Sequence, residues 1–321
     1  MWLRRLECAL VALAAVTTLA ACSSAAASKP APGTSSLKAS ARVAGAPRPP
    51  AAAAVAITSL TGPIVALGDS YTAGDLMPLN LASRPPGCLR SSAGYAVRVA
   101  SALHDSAGLV NASCTNAGVS AMTTSQRTYL GTNPPQLSAV APDDALVMLT
   151  LGGDDLGFLN VLHACMKLSW TDPFGSPCER HYTSGGTDQL AARVTTEAAR
   201  MGAVLAKIHA QARSARVVLI GYPDLFPQRG SCWPKVPLTA GDISYLRGIE
   251  VKLNAVLAAE AAATGTQFVD TYTGTIGHDF CADGNARDVE GLLPGSMAAP
   301  FHPNARGQAA MATLILAALA K

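Results

Sequence analysis

Between Asp144 and Leu151 every residue except Thr150 is apolar. A run this short and unbroken, closed by Gly152-Gly153, reads as a strand covered on both faces. Four more runs share its character: Ile64 to Leu67, Leu109 to Cys114, Arg216 to Ile220 and Gln267 to Asp270. Helical patterns lie between them, over about 94–104, 187–213 and 239–264, with a last Ala-rich helix near the C-terminus. Thr239 reads as an N-cap with Asp242 three residues on, and Gly265 as the stop. Cys165 to Cys178 reads as a Pro- and Gly-bearing loop. Alternating strands and helices predict an α/β domain with a parallel sheet and helices on both faces.

In such sheets ligands bind beyond the carboxyl ends of the strands. The strand Ile64–Leu67 ends at Gly68-Asp69-Ser70, which puts Ser70 where chemistry belongs. The plain alternative is that Asp69 and Ser70 only cap the next helix. The segment 109–114 runs into Thr115-Asn116-Ala117-Gly118, a turn. The third strand, Asp144 to Leu151, ends in Gly152-Gly153-Asp154-Asp155-Leu156-Gly157-Phe158. Near the end stands Phe301-His302-Pro303-Asn304-Ala305-Arg306-Gly307. Of the six histidines, His302 is best placed, with Pro303 expected in the first turn of a helix. His104 reads as a helix-end histidine.

These four blocks, in this order, resemble those of the SGNH (GDSL-type) hydrolases, and the resemblance spans nearly all of the chain from Gly62 on. It implies a three-layer α/β/α, flavodoxin-like fold around a five-stranded parallel sheet. It implies a serine ester hydrolase with Ser70 as nucleophile and His302 as general base. Ser70 and Gly118 would offer backbone N–H groups to the oxyanion, and position 154 would supply a third donor. No cofactor is implied. The substrate would be a small-molecule or lipid ester, and the domain a monomer.

The chain departs from the family pattern twice. Many members carry an aspartate three residues before the histidine; here Ala299 stands there. That points to a Ser70–His302 dyad, with a backbone carbonyl such as that of Ala299 orienting the ring, and Asp283 or Asp288 as less favoured third members. Asp154 stands where the family has asparagine. An ionised carboxylate accepts hydrogen bonds and cannot donate one. It would oppose an oxyanion, so the enzyme is expected to be slower than a typical member unless Asp154 is protonated. A protonated Asp154 and a neutral His302 coexist in quantity only if the carboxyl holds its proton to higher pH than the imidazolium does.

Arg4 and Arg5 precede an apolar stretch from Cys8 to Ala21, too short to span a bilayer. Residues 1–21 read as a signal peptide. Leu19-Ala20-Ala21-Cys22 is similar to a bacterial lipobox, which would lipidate Cys22 and hold the protein at a membrane surface. The alternative is an ordinary cleaved signal. Residues 22–61, rich in Ala, Ser and Pro, read as a flexible tether, with Ala54–Ile57 as a weak candidate for an extra edge strand. The domain proper is 62–321.

Cys88, Cys114, Cys165, Cys178, Cys232 and Cys281 remain in that domain. An even set in an exported chain implies bridges, and spacing does not choose the pairing. The family resemblance implies sequential pairs. No cysteine pair or histidine has zinc-site spacing, so no metal is expected. With charged residues at 14% and a net charge of +3, there is no basic stripe and no nucleic-acid partner is expected. Two alternatives stay open: an O-deacetylase acting on carbohydrate or cell-wall esters, and a surface lipoprotein that binds a ligand with a decayed site.

Overall fold

The computed structural model describes residues 60–103 and 108–321. The expected signal segment, Cys22, nearly all of the tether, the Ala54–Ile57 strand candidate and His104 lie outside the described residues. The elements in order are β1 (Ile64–Gly68), α1 (Ser70–Ala73), α2 (Tyr95–Ala102), β2 (Leu109–Asn111), β3 (Gln126–Thr128), β4 (Gly131–Asn133), β5 (Leu146–Thr150) and α3 (Phe158–Ser169). Then follow α4 (Pro177–Thr183), α5 (Gln189–Gln211), β6 (Arg216–Ile220), α6 (Ala240–Thr264), β7 (Gln267–Val269), α7 (Thr271–Thr275) and α8 (Ala305–Leu319).

Five strands form one parallel sheet in the order β2-β1-β5-β6-β7. Side chains alternate across a strand, so each apolar run divides between two cores. Ile64, Ala66, Leu146, Met148, Val218 and Ile220 face α2 and α8. Val65, Leu67, Val147, Leu149, Val217 and Leu219 face α5 and α6. The domain is therefore a three-layer α/β/α sandwich, and the unbroken apolar runs are the consequence of burial on both faces. The order reverses at β1, between β2 and β5. That is the switch point where an α/β sheet opens a crevice, and Ser70 stands at its rim.

Several local expectations change. Cys165 to Cys178 is not a loop: Cys165 lies in α3 and Cys178 in α4. Val161, Leu162, Cys165 and Met166 repeat at helical spacing and are buried, and Pro177 suits the first turn of α4. Thr239 caps α6, its Oγ1 accepting the Asp242 N–H at 3.0 Å. Asp242 does not close the capping box, because its carboxylate serves α4 instead. It accepts the N–H groups of Cys178 at 2.9 Å and Glu179 at 3.2 Å. The second strand is shorter than expected. Asn111 Oδ1 accepts the Ser113 N–H at 3.1 Å, while the Ala112 and Cys114 N–H groups still reach the Ala66 and Gly68 carbonyls of β1 at 2.8 and 3.0 Å. The antiparallel hairpin β3–β4, turning at Tyr129-Leu130, had no clear alternation to announce it. Disulfides join Cys88 to Cys114, Cys165 to Cys178 and Cys232 to Cys281.

Candidate active site

Gly68 ends β1 with φ of 120°, a conformation that L side chains rarely adopt. Gln136 binds its backbone on both sides, accepting the N–H at 2.7 Å and donating to the carbonyl at 2.9 Å. The chain then enters α1, whose N-cap is Asp69. One oxygen of Asp69 accepts the Tyr71 N–H at 2.9 Å. The capping alternative is thus half of what Asp69 does. Its other oxygen accepts a short hydrogen bond from the Tyr222 hydroxyl, which in turn accepts the Gly153 N–H at 2.7 Å. One carboxyl therefore ties the ends of β1, β5 and β6 together. Burial and the nearby Asp154 push the Asp69 carboxyl well above the usual carboxylate range.

Ser70 is only 7% exposed. Its Oγ lies 2.7 Å from His302 Nε2. His302 Nδ1 lies 2.8 Å from the Pro300 carbonyl. A carbonyl only accepts, so Nδ1 carries the hydrogen and Nε2 is left to accept from Ser70. The ring is oriented by Pro300 rather than Ala299, whose carbonyl takes the His302 N–H at 3.1 Å. Asp283 and Asp288 are not the third member: Nδ1 is turned to Pro300, and Asp288 faces Arg306 at 3.4 Å.

The reason for this aim lies in Phe301, which holds φ of 61°. Such a turn is costly for a bulky residue and needs neighbours that enforce it. Tyr71 donates its hydroxyl to the Phe301 carbonyl at 2.8 Å, and the Phe301 N–H reaches Glu290 O at 3.0 Å. Tyr71 also packs on the imidazole, ring centres 5.0 Å apart. Pro303 lies before α8 rather than inside its first turn, because Asn304 is the N-cap and accepts from Arg306 and Gly307. Burial lowers the His302 pKa to about 4, against the raising effect of the Pro300 hydrogen bond. His302 is neutral across the physiological range.

Gly118 opens the turn after β2. A side chain there would put its Cβ 2.8 Å from Asp155 Oδ1, so the close approach requires glycine. Asp155 accepts the neighbouring Val119 N–H at 2.8 Å and faces Arg200 at 3.8 Å. Among the described residues neither the Ser70 nor the Gly118 N–H has a hydrogen-bond acceptor. Asp154 lines the same pocket as Ser70 and His302. Burial, then the charge of Asp155, raises its carboxyl pKa to about 7. Burial thus holds the Asp154 carboxyl up and the His302 imidazolium down. Between about pH 4 and 7 the carboxyl is protonated and can donate while the imidazole is neutral.

Two cavities meet at His302. One is a narrow pocket of about 40 Å³, walled by Leu156, Phe158, Leu225, Ile249, Glu250 and Leu253. The other is an open groove of about 720 Å³, with Asp75, Leu76, Thr115, Arg127, Tyr129 and Leu130 among its walls. Tyr71, Tyr222, Asp155 and Pro300 went unrecognised in the sequence. Tyr222 had one signal, its place just past the carboxyl end of an apolar run.

Residues 66–310 match the GDSL-like lipase/acylhydrolase family. Lipase 2 of Streptomyces coelicolor is 38% identical over 253 residues, covering 77% of this chain and 82% of its own. An esterase of Streptomyces scabiei is 30% identical over 297 residues, covering 81% and 86%. Two solved structures are similar, each 27% identical. The extracellular lipase of Streptomyces rimosus aligns with a TM-score of 0.64 over 81% of this chain and all of its own. The phospholipase A1 of Streptomyces albidoflavus aligns at 0.62 over 80% and 98%.

Proposed function

The chain belongs to the GDSL-like lipase/acylhydrolase family and is a serine ester hydrolase, and we propose that Ser70 and His302 carry its chemistry as a dyad. The observation that carries this reading is the 2.7 Å contact between Ser70 Oγ and His302 Nε2, with Nδ1 fixed on Pro300. Ser70 Oγ attacks the ester carbonyl carbon while its proton passes to Nε2. The oxyanion is held by the N–H groups of Ser70 and Gly118 and by the protonated carboxyl of Asp154. Collapse breaks the ester bond, and the departing alkoxide takes the proton from His302. Water, giving its proton to Nε2, then attacks the acyl-serine. The acid leaves and Ser70 regains its proton.

The same reading makes the protein exported. Residues 1–21 act as the signal, Cys22 bears lipid, and residues 22–61 hold the domain off the membrane. The three disulfides support an oxidising compartment.

A second reading has its own observation, the unequal cavities. A pocket of about 40 Å³ beside a groove of about 720 Å³ suits a small acyl group on a bulky alcohol, as an O-deacetylase requires. The test is hydrolysis of 4-nitrophenyl acetate, butyrate and octanoate by wild type and Ser70→Ala. The esterase reading expects turnover that Ser70→Ala lowers about 10³-fold or more. Equal rates in the two proteins would overturn it. A steep fall from acetate to butyrate favours the deacetylase, and a maximum at octanoate excludes it.

A further inference from the structure

Among the described residues no carboxylate bonds the His302 ring, whose nitrogens meet the Pro300 carbonyl and Ser70 Oγ. The aim of the ring therefore depends on the turn through Pro300, Phe301 and His302. That turn needs φ of 61° at Phe301, and such a conformation persists only where neighbours over-determine it. Glu290 meets the turn on both sides. Its carbonyl accepts the Phe301 N–H at 3.0 Å, and its N–H donates to the His302 carbonyl at 2.9 Å. Beside it Val289 and Pro303 form an antiparallel bridge.

The Glu290 side chain, 1% exposed, holds the same region from three directions. Its Oε1 accepts the Ser296 hydroxyl at 2.5 Å and Asn304 Nδ2 at 2.8 Å. Its Oε2 accepts the Gly295 N–H at 2.7 Å and pairs with Arg287 at 2.8 Å. A buried carboxyl that meets four donors is held as a carboxylate. Burial works against the charge, but the hydrogen bonds from Ser296, Asn304 and Gly295 and the charge of Arg287 keep the group below its ordinary value. Gly295 and Ser296 lie in the segment that leads to Pro300. Asn304 stands two residues past His302 and caps α8. The side chain thus fastens the chain before and after the turn, and the backbone of the same residue fastens the turn itself. No step of the ester chemistry uses this carboxylate.

We propose that Glu290 is the positioning residue of the Ser70–His302 dyad, aiming the imidazole through the Phe301 turn and the Pro300 carbonyl in place of an acid on the ring. The inference rests on the dyad reading and adds the residue that sets the aim of its base. A carboxylate is required, because a glutamine offers one acceptor and one donor and cannot serve four donors at once.

The test reads kcat and KM for 4-nitrophenyl acetate at pH 6, together with the nitrogen-15 shifts of the His302 ring, assigned against His302→Ala. The shifts report which ring nitrogen carries the hydrogen. Each protein is measured at a temperature where circular dichroism shows it fully folded. Wild type should show the hydrogen on Nδ1. Glu290→Gln should lower kcat about tenfold or more, leave KM within about twofold and lose the pure Nδ1–H signature. The control is Asp188→Ala, which removes the cap that accepts the Leu190 and Ala191 N–H groups of α5. It should lower the melting temperature and leave kcat within about twofold and the ring signature unchanged. If Glu290→Gln does not fold, Asn304→Ser decides, since serine still caps α8 but has no amide to give Glu290. It should lower kcat about threefold or more with the same change in the ring. A folded Glu290→Gln with kcat within about twofold of wild type, or with an unchanged ring signature, would overturn the proposal. So would an Asn304→Ser indistinguishable from wild type, or an Asp188→Ala that loses as much kcat and disturbs the ring as much. All of these leave the dyad reading intact. If wild type hydrolyses the ester no faster than Ser70→Ala, the dyad reading falls and this inference falls with it.

Discussion

Replacing Asp154 by asparagine should make the enzyme faster, and only on the alkaline side. The carboxyl donates to the oxyanion only while protonated, and its pKa is raised to about 7. One pH unit above that value about a tenth of the molecules retain the proton, and two units above about a hundredth. The amide donates at every pH. The ratio of Asp154→Asn to wild type in kcat/KM should therefore be near one at pH 5, about 2 at pH 7 and about 10 at pH 8. It should approach 100 at pH 9 and then level off, because losing one oxyanion donor costs about 10²–10³ and the other two remain. Wild type itself should give a bell. Its acid limb lies near pH 4, where His302 takes up a proton, and its alkaline limb near pH 7. Asp154→Asn should keep the first limb and lose the second. The assay is initial-rate hydrolysis of a short 4-nitrophenyl ester from pH 4 to 9, followed at the isosbestic wavelength so that phenol ionisation does not enter. A wild-type profile that rises once and stays level through pH 9 would refute the protonated-donor argument. So would an asparagine variant slower than wild type at pH 8.

Two other outcomes follow from the same contacts. Tyr222→Phe removes the hydroxyl that accepts from Gly153 and donates to Asp69. It should lower stability by about 1–2 kcal/mol and lower kcat about tenfold or more with little change in KM, since the lost hydroxyl bonds Asp69 and Gly153 while the ring stays in the pocket wall; a loss confined to KM would contradict this positioning role. Stability should also fall as pH rises. Asp75, Asp154 and Asp224 are held up to about 7 and Glu197 up to about 8, so the native state binds more protons than the unfolded chain between about pH 4 and 8. His302, held down to about 4, acts the opposite way between pH 4 and 6.5, but it is one group against four. The melting temperature by circular dichroism should drop from pH 5 to 8, and a steady rise would contradict the burial of these acids.

The sheet was legible because its signal is local. Burial on both faces writes an unbroken apolar run, and β1, β5 and β6 appear within a residue or two of where the runs stand. Ser70, Gly118, Asp154 and His302 were singled out by the resemblance of four short blocks to the family's, each at a strand end or helix start. What the sequence hid is nonlocal. Asp242 caps a helix 64 residues upstream, and nothing near it says so. Asp69 reaches Tyr222 across the sheet, a pairing only the strand order creates. The ring of His302 turns to Pro300 and not to Ala299 because Phe301 takes a left-handed turn, which a phenylalanine does not advertise.

Ser70, activated by His302 alone, is the proposed nucleophile. The direct measurement is labelling by a fluorophosphonate, with the modified peptide identified by mass spectrometry in wild type, Ser70→Ala and His302→Ala. One adduct is expected, on Ser70, absent from Ser70→Ala and formed at least about 100-fold more slowly in His302→Ala. An adduct on any other serine, or labelling of Ser70 at the same rate without His302, would contradict it.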